Sequence, residues 1–563
     1  MASIIGKKQG NKTYYYLVES ARVGGKPRIV SQRYLGPAED IIARLSQTGP
    51  GEPDRTRHLG FGDLAAVWAM LGRLKVAEII DEVVGPRRAD AACSVGTYIA
   101  LATANRVVDP RSKRAFSDWW ATTAGDRLVK LPTAALDHRR FWDAMDHIDQ
   151  TQLAEIERRV VAAMVEAFEV DLSGLVLDMT NFATYIDSAN TRAPIAQRGH
   201  AKQKRRDLRL VGLGLVVSVD AGVPLVSHAY AGDRPDVTQF GDIVDELVSR
   251  FAALAGDGGE LTVVFDAGQN SQANLELVEG SPLHFVASLP PSDHPDLLAV
   301  ATNRYRAVDK TRFPGLRAFE TRKVVFGVER RIILTHSQTL HDKQSRGFDQ
   351  TVAKAGGQLQ ALAARLARGK TRKPRDKVEA EIAEILKPRW LSRVITTTLT
   401  GQQPAKLRLS WHIDSQARAA LEAELFGKRI LFSDKDRVAR ATIVADYRSQ
   451  SQVEGDFRQM KDPKVVSFSP MYHWTDHKIR VHVFYCVLAL AVTRLLVRQA
   501  DRHGMHMSVR ELLDTLAGIQ ETVLLYQGER GRPRARRMLT DMTPTQQRLY
   551  TIFGLDRYAP AQP

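Results

Sequence analysis

Between residues 174 and 289 the hydrophobic pattern changes from the three-and-four spacing of helices to short runs of strand-forming residues. Three strand-like segments follow one another, GLVLDMTNFATYI, RDLRLVGLGLVVSVDAG and VPLVSHAYAG, and a helix-like stretch runs from Thr238 to Leu254. The strand LTVVFDAG, the helix SQANLELVEG and the strand HFVASLP complete the series. This order predicts an α/β fold whose mixed sheet begins as a meander and continues through right-handed crossovers.

The patterns on either side of this sheet divide the 563-residue chain into further regions. Two β-rich segments flank Gly24 and Gly25, which is a strong hairpin signal. The predicted regions are a small β-rich unit (1–55), a helical region (56–172), a core in two parts (173–297 and 441–500), a β-rich insertion (298–440) and a basic helical C-terminal region (501–563). Within the last region we expect a basic loop at 528–537, GERGRPRARR.

The net charge and the lengths of the apolar segments indicate what kind of partner the protein has. Lys and Arg number 80 against 64 Asp and Glu, a formal charge of +16, which favours a polyanion. The longest apolar run, from Val483 to Val492, is too short to span a bilayer, so we expect a buried helix and no membrane partner. No apolar segment follows the first charges, so no secretory signal is visible and we expect the protein inside the cell.

The sequence lacks the residues that several common kinds of binding site require. Only Cys93 and Cys486 occur, which excludes a disulfide framework and a multi-cysteine zinc site. The glycine-rich stretches lack the Lys-Ser/Thr ending of a phosphate-binding loop, so ATP dependence has no support. On a helix His473 and His477 would have a metal-ligand spacing, but no local acid or cysteine completes a set.

Two acids stand out on the predicted sheet. Asp178 follows Leu175, Val176 and Leu177 in a strand, where a buried carboxylate is costly unless a cation or hydrogen-bond donors compensate it. Asp266 ends a more apolar strand and precedes a helix, a geometry that presents a side chain at a sheet edge. Asp220 ends a similar VSVDAG segment but leads directly into another strand, so we interpret it as a hairpin turn.

A third acid, Glu454, lies in the helix-like stretch YRSQSQVEGDFRQMK. On one continuous helix Tyr447, Glu454, Arg458 and Lys461 would fall within about 60 degrees of one another. Val453, Phe457 and Met460 would form a neighbouring apolar stripe that packs on the sheet. The phase therefore predicts a charged stripe at the rim of the sheet, although Glu and Lys at this spacing are also common on solvated helices.

Two further groups are candidates for nucleic-acid contact. Lys202, Lys204, Arg205 and Arg206 lie in HAKQKRRDLR, a concentration of cations suited to phosphates, although a solvated loop remains the alternative. Three tryptophans could stack on unpaired bases, with core packing as the alternative: Trp119, Trp120 and Trp474.

Together these residues resemble the DDE transposases of bacterial insertion sequences, specifically the IS-four superfamily with its inserted β domain. The signature of that family around its third acid is Tyr, two residues, Arg, three residues, Glu, six residues, Lys. Tyr447, Glu454 and Lys461 match, whereas Gln450 occupies the Arg position and Arg448 lies two residues earlier. LDMTNFATYI and VVFDAGQNSQANL look like the strands of the family's first two acids, and the resemblance covers roughly residues 174–500.

The resemblance implies an RNase H-like catalytic core in which Asp178, Asp266 and Glu454 hold two Mg²⁺ ions, with Mn²⁺ as a substitute. It implies metal-dependent cleavage at the ends of an element, followed by attack of the freed 3′ hydroxyl on target DNA. Tyr447 and Lys461 would contact phosphates of the bound end, and Arg448 and Arg458 join them by position.

From the same resemblance we expect double-stranded DNA as partner, both the terminal inverted repeats and the target, and a homodimer or larger assembly on DNA. We expect a bacterial cytoplasmic location at the nucleoid, and the helical region 56–172 is our candidate for end recognition. Two alternatives stay open at this point: a nuclease of the same fold without strand transfer, and a non-catalytic DNA-binding descendant of a transposase.

Overall fold

The computed structural model describes residues 2–46, 52–87, 91–200, 207–252, 261–370, 372–526 and 534–561. The chain divides into two compact units. The first unit comprises Met1–Ala69, Ser117–Pro132 and His503–Pro563, and the second comprises Met70–Phe116 and Thr133–Arg502. The sheet predicted between residues 174 and 289 and the acids Asp178, Asp266 and Glu454 all belong to the second unit.

The strands and helices are numbered here along the chain. The strands are β1 Ala2–Gln9, β2 Lys12–Val23, β3 Lys26–Pro37, β4 Arg55–Gly60, β5 Gly174–Thr184, β6 Arg209–Ser218, β7 Pro224–Ala231, β8 Leu261–Phe265, β9 Leu283–Leu289, β10 Arg306–Ala307, β11 Arg317–Val325, β12 Val328–His336, β13 Ile395–Thr400, β14 Arg408–Ile413, β15 Lys428–Ser433, β16 Gln520–Tyr526 and β17 Arg534–Leu539. The helices are α1 Ala38–Ser46, α2 Gly62–Arg73, α3 Val76–Val84, α4 Val95–Val108, α5 Phe116–Trp120, α6 His138–Asp146, α7 Gln150–Phe168, α8 Asp236–Ala252, α9 Gln272–Glu279, α10 Pro295–Leu298, α11 Gln338–Ala367, α12 Arg375–Leu386, α13 Leu391–Val394, α14 Ser415–Leu425, α15 Arg440–Arg448, α16 Gln450–Met460, α17 Asp476–Arg502, α18 Val509–Ala517 and α19 Pro544–Ile552.

The first unit begins with an antiparallel sheet in the order β1-β2-β3. Val23 pairs with Lys26, so Gly24 and Gly25 form a two-residue turn. Their φ angles of +61° and +81° lie in the left-handed region that glycine enters without steric cost. The hairpin predicted at this pair is confirmed.

A second sheet of the first unit joins distant parts of the chain in the order β17-β16-β4. This arrangement differs from the helical C-terminal region predicted for 501–563, which holds two strands between α18 and α19. Arg534, Arg536 and Arg537 lie on β17 rather than in a loop, and residues 527–533 lie outside the described part of the chain. β16 pairs with β4, which lies more than 400 residues earlier in the chain. The residues around β16 carry no sign of so distant a partner, so the local sequence does not predict this sheet.

The second unit is built on a nine-stranded mixed sheet in the order β10-β11-β12-β15-β9-β8-β5-β6-β7. β5, β6 and β7 form an antiparallel meander, whereas β5, β8 and β9 run parallel. The meander and the two crossovers through α8 and α9 confirm the predicted order of elements. Asp220 lies in the turn between β6 and β7, as predicted, and pairs with Arg498 Nη1 at 2.5 Å.

Helices cover both faces of this sheet. Phe265 of β8 meets Phe240 of α8 with ring centroids 5.0 Å apart, so odd-numbered positions of β8 point toward α8. α16 packs against β5, and α17 packs against β7. α17 is long and apolar enough to cross a membrane by length and composition, but 89% of its most apolar window is buried, which confirms the buried helix predicted at Val483–Val492.

The insertion contains more helix than the description β-rich implies. β10, β11, β12 and β15 extend the main sheet, but between β12 and β15 the chain forms α11 to α14 and a two-stranded sheet of β13 and β14. These helices bury a separate apolar cluster that includes Leu359, Leu362 and Leu421. His336 pairs with Lys428, so this helical excursion starts and ends on neighbouring strands.

Candidate active site

Asp178 and Asp266 occupy matched positions on neighbouring parallel strands. Val176 of β5 pairs with Val264 of β8, and each acid lies two residues further along. Asp266 keeps extended backbone angles, φ −90° and ψ 166°, although β8 ends one residue earlier. Because side chains alternate along a strand and neighbouring strands lie about 4.8 Å apart, both acids belong to the same face at the same edge.

The local bonds of the two aspartates differ. Asp266 Oδ1 accepts hydrogen bonds from the Ala267 amide at 2.6 Å and from Ser288 Oγ of β9 at 2.9 Å. Asp178 Oδ1 accepts one from the Met179 amide at 2.7 Å. Asp266 is exposed and Asp178 is half-buried. Ser288 therefore holds one oxygen of the Asp266 carboxylate.

Glu454 reaches this region from α16. Val453, Phe457 and Met460 are buried, and α16 packs against β5, as the apolar stripe predicts. Glu454 is exposed and lines a cavity of about 580 Å³ together with Asp266. The structure thus brings the second and third acids to one cavity.

The predicted single charged stripe is interrupted. A one-residue turn at Ser449 separates α15 from α16, and Ser449 Oγ donates to the Asp446 carbonyl. Tyr447 is buried, with 6% of its surface exposed, whereas Glu454 and Arg458 are exposed. A serine hydroxyl that bonds a backbone carbonyl of the preceding turn competes with the regular helix pattern, which is a physical reason for the break.

Tyr447 nevertheless lies among the acids. Burial raises the pKa of its phenol, and the charges of Asp266 and Glu454 raise that pKa further, whereas a hydrogen bond with Ser288 lowers it. The phenol is therefore neutral near pH 7 and donates to Ser288 Oγ, whose own proton goes to Asp266. Arg429 lies beside it, with the guanidinium carbon 5.6 Å from the Tyr447 ring centroid.

Lys461 ends α16 on the same face as Asp178. Its Nζ donates a 2.6 Å hydrogen bond to Thr180 Oγ1, and it lies 5.5 Å from the ring centroid of Phe182. Thr180 is two residues beyond Asp178 on β5, so the two side chains share a face. Arg458, by contrast, is exposed on α16 and does not line the cavity.

The acids are not gathered into a closed ligand set. Within the described parts of the chain, no three His, Cys, Asp or Glu side chains lie close enough together to hold a metal ion. The donor chemistry nevertheless fits Mg²⁺, which prefers carboxylate oxygens and completes its shell with water or phosphate. Like charges repel, so bringing the third carboxylate to the other two requires a cation to offset the repulsion.

The cavity also has a cationic wall that the sequence analysis does not identify. Arg448, which was predicted, lines it together with Arg389, Lys428 and Arg429 of the insertion. Lys428 Nζ donates to the Leu298 carbonyl at 2.9 Å, and burial lowers the pKa of this amine. Lys428 and Arg429 begin β15, so only the pairing of β15 with β9 brings them near Asp266, and no local signal marks them.

The remaining predicted residues are placed as follows. Gln450, at the position of the family's Arg, is buried and lines the cavity. Lys202, Lys204, Arg205 and Arg206 lie outside the described residues. Trp119 and Trp120 are buried, as core packing requires, whereas Trp474 is half exposed. His473 precedes α17, and His477 bonds the Met145 carbonyl, so these two do not form a helical pair.

Comparisons with known proteins identify the domain that carries these acids. A cryo-EM structure of the piggyBac transposase synaptic complex with hairpin DNA is among similar solved structures, with 9% sequence identity and a TM-score of 0.37. That match covers 83% of this chain and 82% of the other. No curated protein sequence matches. The family model "Transposase DDE domain" matches residues 171–492, which is more than half of the chain and includes all three acids, and the chain therefore belongs to the transposase DDE domain family.

Proposed function

We propose that this transposase serves an insertion sequence, binds the terminal inverted repeats of its element, and cuts and joins DNA by metal-dependent phosphoryl transfer. Asp178, Asp266 and Glu454 are the proposed catalytic acids. The observation that carries the proposal is the matched register of Asp178 and Asp266, with Glu454 brought by α16 to the cavity beside Asp266.

We assign the core to the RNase H-like fold and the chain to the IS-four superfamily. The strand order β7-β6-β5-β8-β9, with an antiparallel meander and then parallel strands, supports the fold assignment. The positions of Tyr447, Glu454 and Lys461, and a large insertion between the second and third acids, support the superfamily.

In the proposed mechanism the three carboxylates would hold Mg²⁺, or Mn²⁺ in its place. A bound ion would supply activation of the attacking oxygen and charge stabilisation of the leaving oxygen in an in-line transfer. Ser288 fixes one oxygen of Asp266 and so orients that carboxylate. Tyr447, neutral because its pKa is raised, lines the cavity and is proposed to contact a phosphate of the bound end.

The cations beside the acids position the DNA strand. Arg389, Arg429 and Arg448 line the cavity and attract the phosphates next to the scissile bond. Lys461, held by Thr180, contacts a phosphate on the β5 side. Arg458, exposed on α16, and the cluster Lys202, Lys204, Arg205 and Arg206 are proposed as further backbone contacts.

The decisive test is cleavage and joining of DNA that carries the ends of the element, with and without Mg²⁺. Asp178→Asn, Asp266→Asn and Glu454→Gln preserve the shape of each side chain and should each abolish both steps. Asp220→Asn is the matched control, because Asp220 ends a similar strand but lies in the turn at the other end of the meander. Full activity of the Asp266→Asn protein would refute the site.

Further outcomes distinguish the alternatives. Cleavage without joining of a precut end favours a nuclease, and binding without cleavage favours a non-catalytic descendant. We also propose that a homodimer or larger assembly forms on DNA, and that the protein acts at the bacterial nucleoid in the cytoplasm. Light scattering of the DNA complex tests the assembly.

A further inference from the structure

The sheet of β1, β2 and β3 is almost uncovered. Across Ala2–Gln9 every side chain is exposed except that of Ile5, and Val18 is the one large apolar side chain of the three strands that is buried. Ile4 and Val30 are 60% and 56% exposed. Apart from Val18 and the part of β2 and β3 that contacts α1, the sheet has little of the core that normally stabilises such a structure, so a partner surface would gain by covering its exposed apolar side chains.

The charge of this sheet selects the partner. Residues 2–37 carry seven cations against the single acid Glu19, and all seven are exposed. The cations are Lys7, Lys8, Lys12, Arg22, Lys26, Arg28 and Arg33. Such a density of exposed positive charge fits a polyanion, with binding driven by release of counterions.

The strands β2 and β3 end in a two-stranded ribbon. β2 and β3 stay paired to Val23 and Lys26 at the turn. We call residues 20–29 the ribbon, and every residue from 21 to 29 is exposed. At about 3.3 Å per residue the stretch from Glu19 to Val23 spans about 13 Å, and the DNA major groove is about 8.5 Å deep and admits a two-stranded β-ribbon.

The ribbon and the sheet below it differ in character. Arg22, Lys26 and Arg28 lie on the ribbon, which has no acid. Below it Tyr14, Tyr16 and Tyr34 lie together on one face, with ring centroids 6.2 Å and 5.2 Å apart, and Lys7 Nζ lies 4.9 Å from the Tyr16 ring. The tyrosines stiffen the part of the sheet next to the ribbon.

We propose that the ribbon docks in a groove of duplex DNA, with Arg22, Lys26 and Arg28 on the flanking phosphates. This inference rests on the proposed function for its partner, and it moves part of DNA binding from the helical region 56–172 to the N-terminal sheet. A second copy of the chain is a poorer partner, because β1 carries Lys7 and Lys8 and β3 carries Arg28 and Arg33, and like charges along sheet edges oppose pairing.

The test uses the full chain and a fluorescently labelled random-sequence duplex, followed by anisotropy between about 50 and 200 mM salt. In the ribbon variant Arg22, Lys26 and Arg28 are all changed to Gln. The slope of log affinity against log salt should become shallower by up to about 2.7, at about 0.9 per phosphate contact, and affinity should fall most at low salt. The control variant changes Lys343, Lys354 and Lys377, exposed on α11 and α12, to Gln.

An unchanged slope in the ribbon variant, or an equal loss in the control variant, would overturn the proposal. Unchanged DNA affinity with a shift from dimer to monomer in light scattering would assign the sheet to a second copy instead, which also overturns it. Asp266→Asn separates this inference from the proposed function, because that protein should keep the full salt slope while losing cleavage. If the ribbon variant shows the shallower salt slope but the unaltered protein does not cut DNA, the proposed function is wrong and the DNA-binding role of the ribbon stands.

Discussion

Lys461 Nζ donates a 2.6 Å hydrogen bond to Thr180 Oγ1 and so ties the end of α16 to β5, two residues beyond Asp178. The bond fixes the helix that carries Glu454 against the strand that carries the first acid.

Replacing Thr180 by Val should loosen this tie. The amine loses its buried acceptor, which costs about 1 kcal/mol in the free energy of unfolding, and cleavage should fall because α16 is less firmly placed. Thr180→Ser keeps the hydroxyl and should restore both quantities. Urea unfolding and the cleavage rate are the measurements, and equal behaviour of the Val and Ser proteins would contradict the role of the bond.

Ser288→Ala should weaken metal-dependent cleavage without unfolding the protein. Its hydroxyl holds Asp266 Oδ1, and loss of such an outer partner typically costs about 10- to 100-fold in metal affinity or activity. The cleavage rate measured against Mg²⁺ concentration should shift to higher concentrations. Ser292→Ala is the control, because that exposed hydroxyl bonds only the neighbouring Asp293 among its described contacts.

In the first unit Glu521 is fully buried and pairs with Arg127 and Arg537, of which Arg537 Nη1 lies at 2.6 Å. Changing both arginines to Gln strands a buried anion and should lower the free energy of unfolding by about 3–5 kcal/mol. Glu521→Gln alone should cost less, since both guanidinium groups reach solvent. Adding Glu521→Gln to the double variant should therefore raise its thermal midpoint, and a further fall would argue against the buried charge.

Acid should destabilise the second unit partly through His482. Burial, and then the charges of His473, Arg106 and Lys113, hold the pKa of this imidazole well below 6.5. Its Nδ1 lies 2.5 Å from the Tyr485 hydroxyl and its Nε2 2.8 Å from the Phe468 carbonyl, which suits the neutral ring. Because the folded-state pKa is depressed, this stability is present above about pH 6.5 and is lost as the pH falls, at up to about 1.4 kcal/mol per pH unit.

Urea unfolding at pH 7 and pH 5 tests this dependence. His482→Gln should remove the contribution of one titrating group, up to about 1.4 kcal/mol per pH unit, from the fall in the free energy of unfolding between the two pH values. The same change at the exposed His412 should leave that fall unaltered. An unaltered pH dependence in the His482 variant would show that other groups carry the acid response.

Local sequence patterns predict much of the fold and the positions of the acids on it. The turn at Gly24 and Gly25, the order of elements from β5 to β9 and the turn at Asp220 all depend on neighbouring residues, which is why the sequence alone predicts them. The buried stripe of Val453, Phe457 and Met460 follows from helical period in the same way.

Features that depend on pairing between residues far apart in the sequence cannot be predicted from local patterns. β4 and β16 meet across more than 400 residues, and Arg389 and Arg429 reach the cavity only because the insertion returns to the sheet at β15. The turn at Ser449 is missed for a different reason, since one hydroxyl can interrupt a helix whose overall period is unbroken.

The pairing of His336 with Lys428 means that the helical excursion, residues 337–427, leaves and re-enters the sheet at one point. Topologically it is a β-hairpin whose turn has grown into a structure with a core of its own. A lineage could acquire or shed such a module without disturbing strand register. Because the module supplies Gln344, Arg389 and Trp390 to the cavity, exchanging it would alter this wall of the cavity while leaving the acids in place.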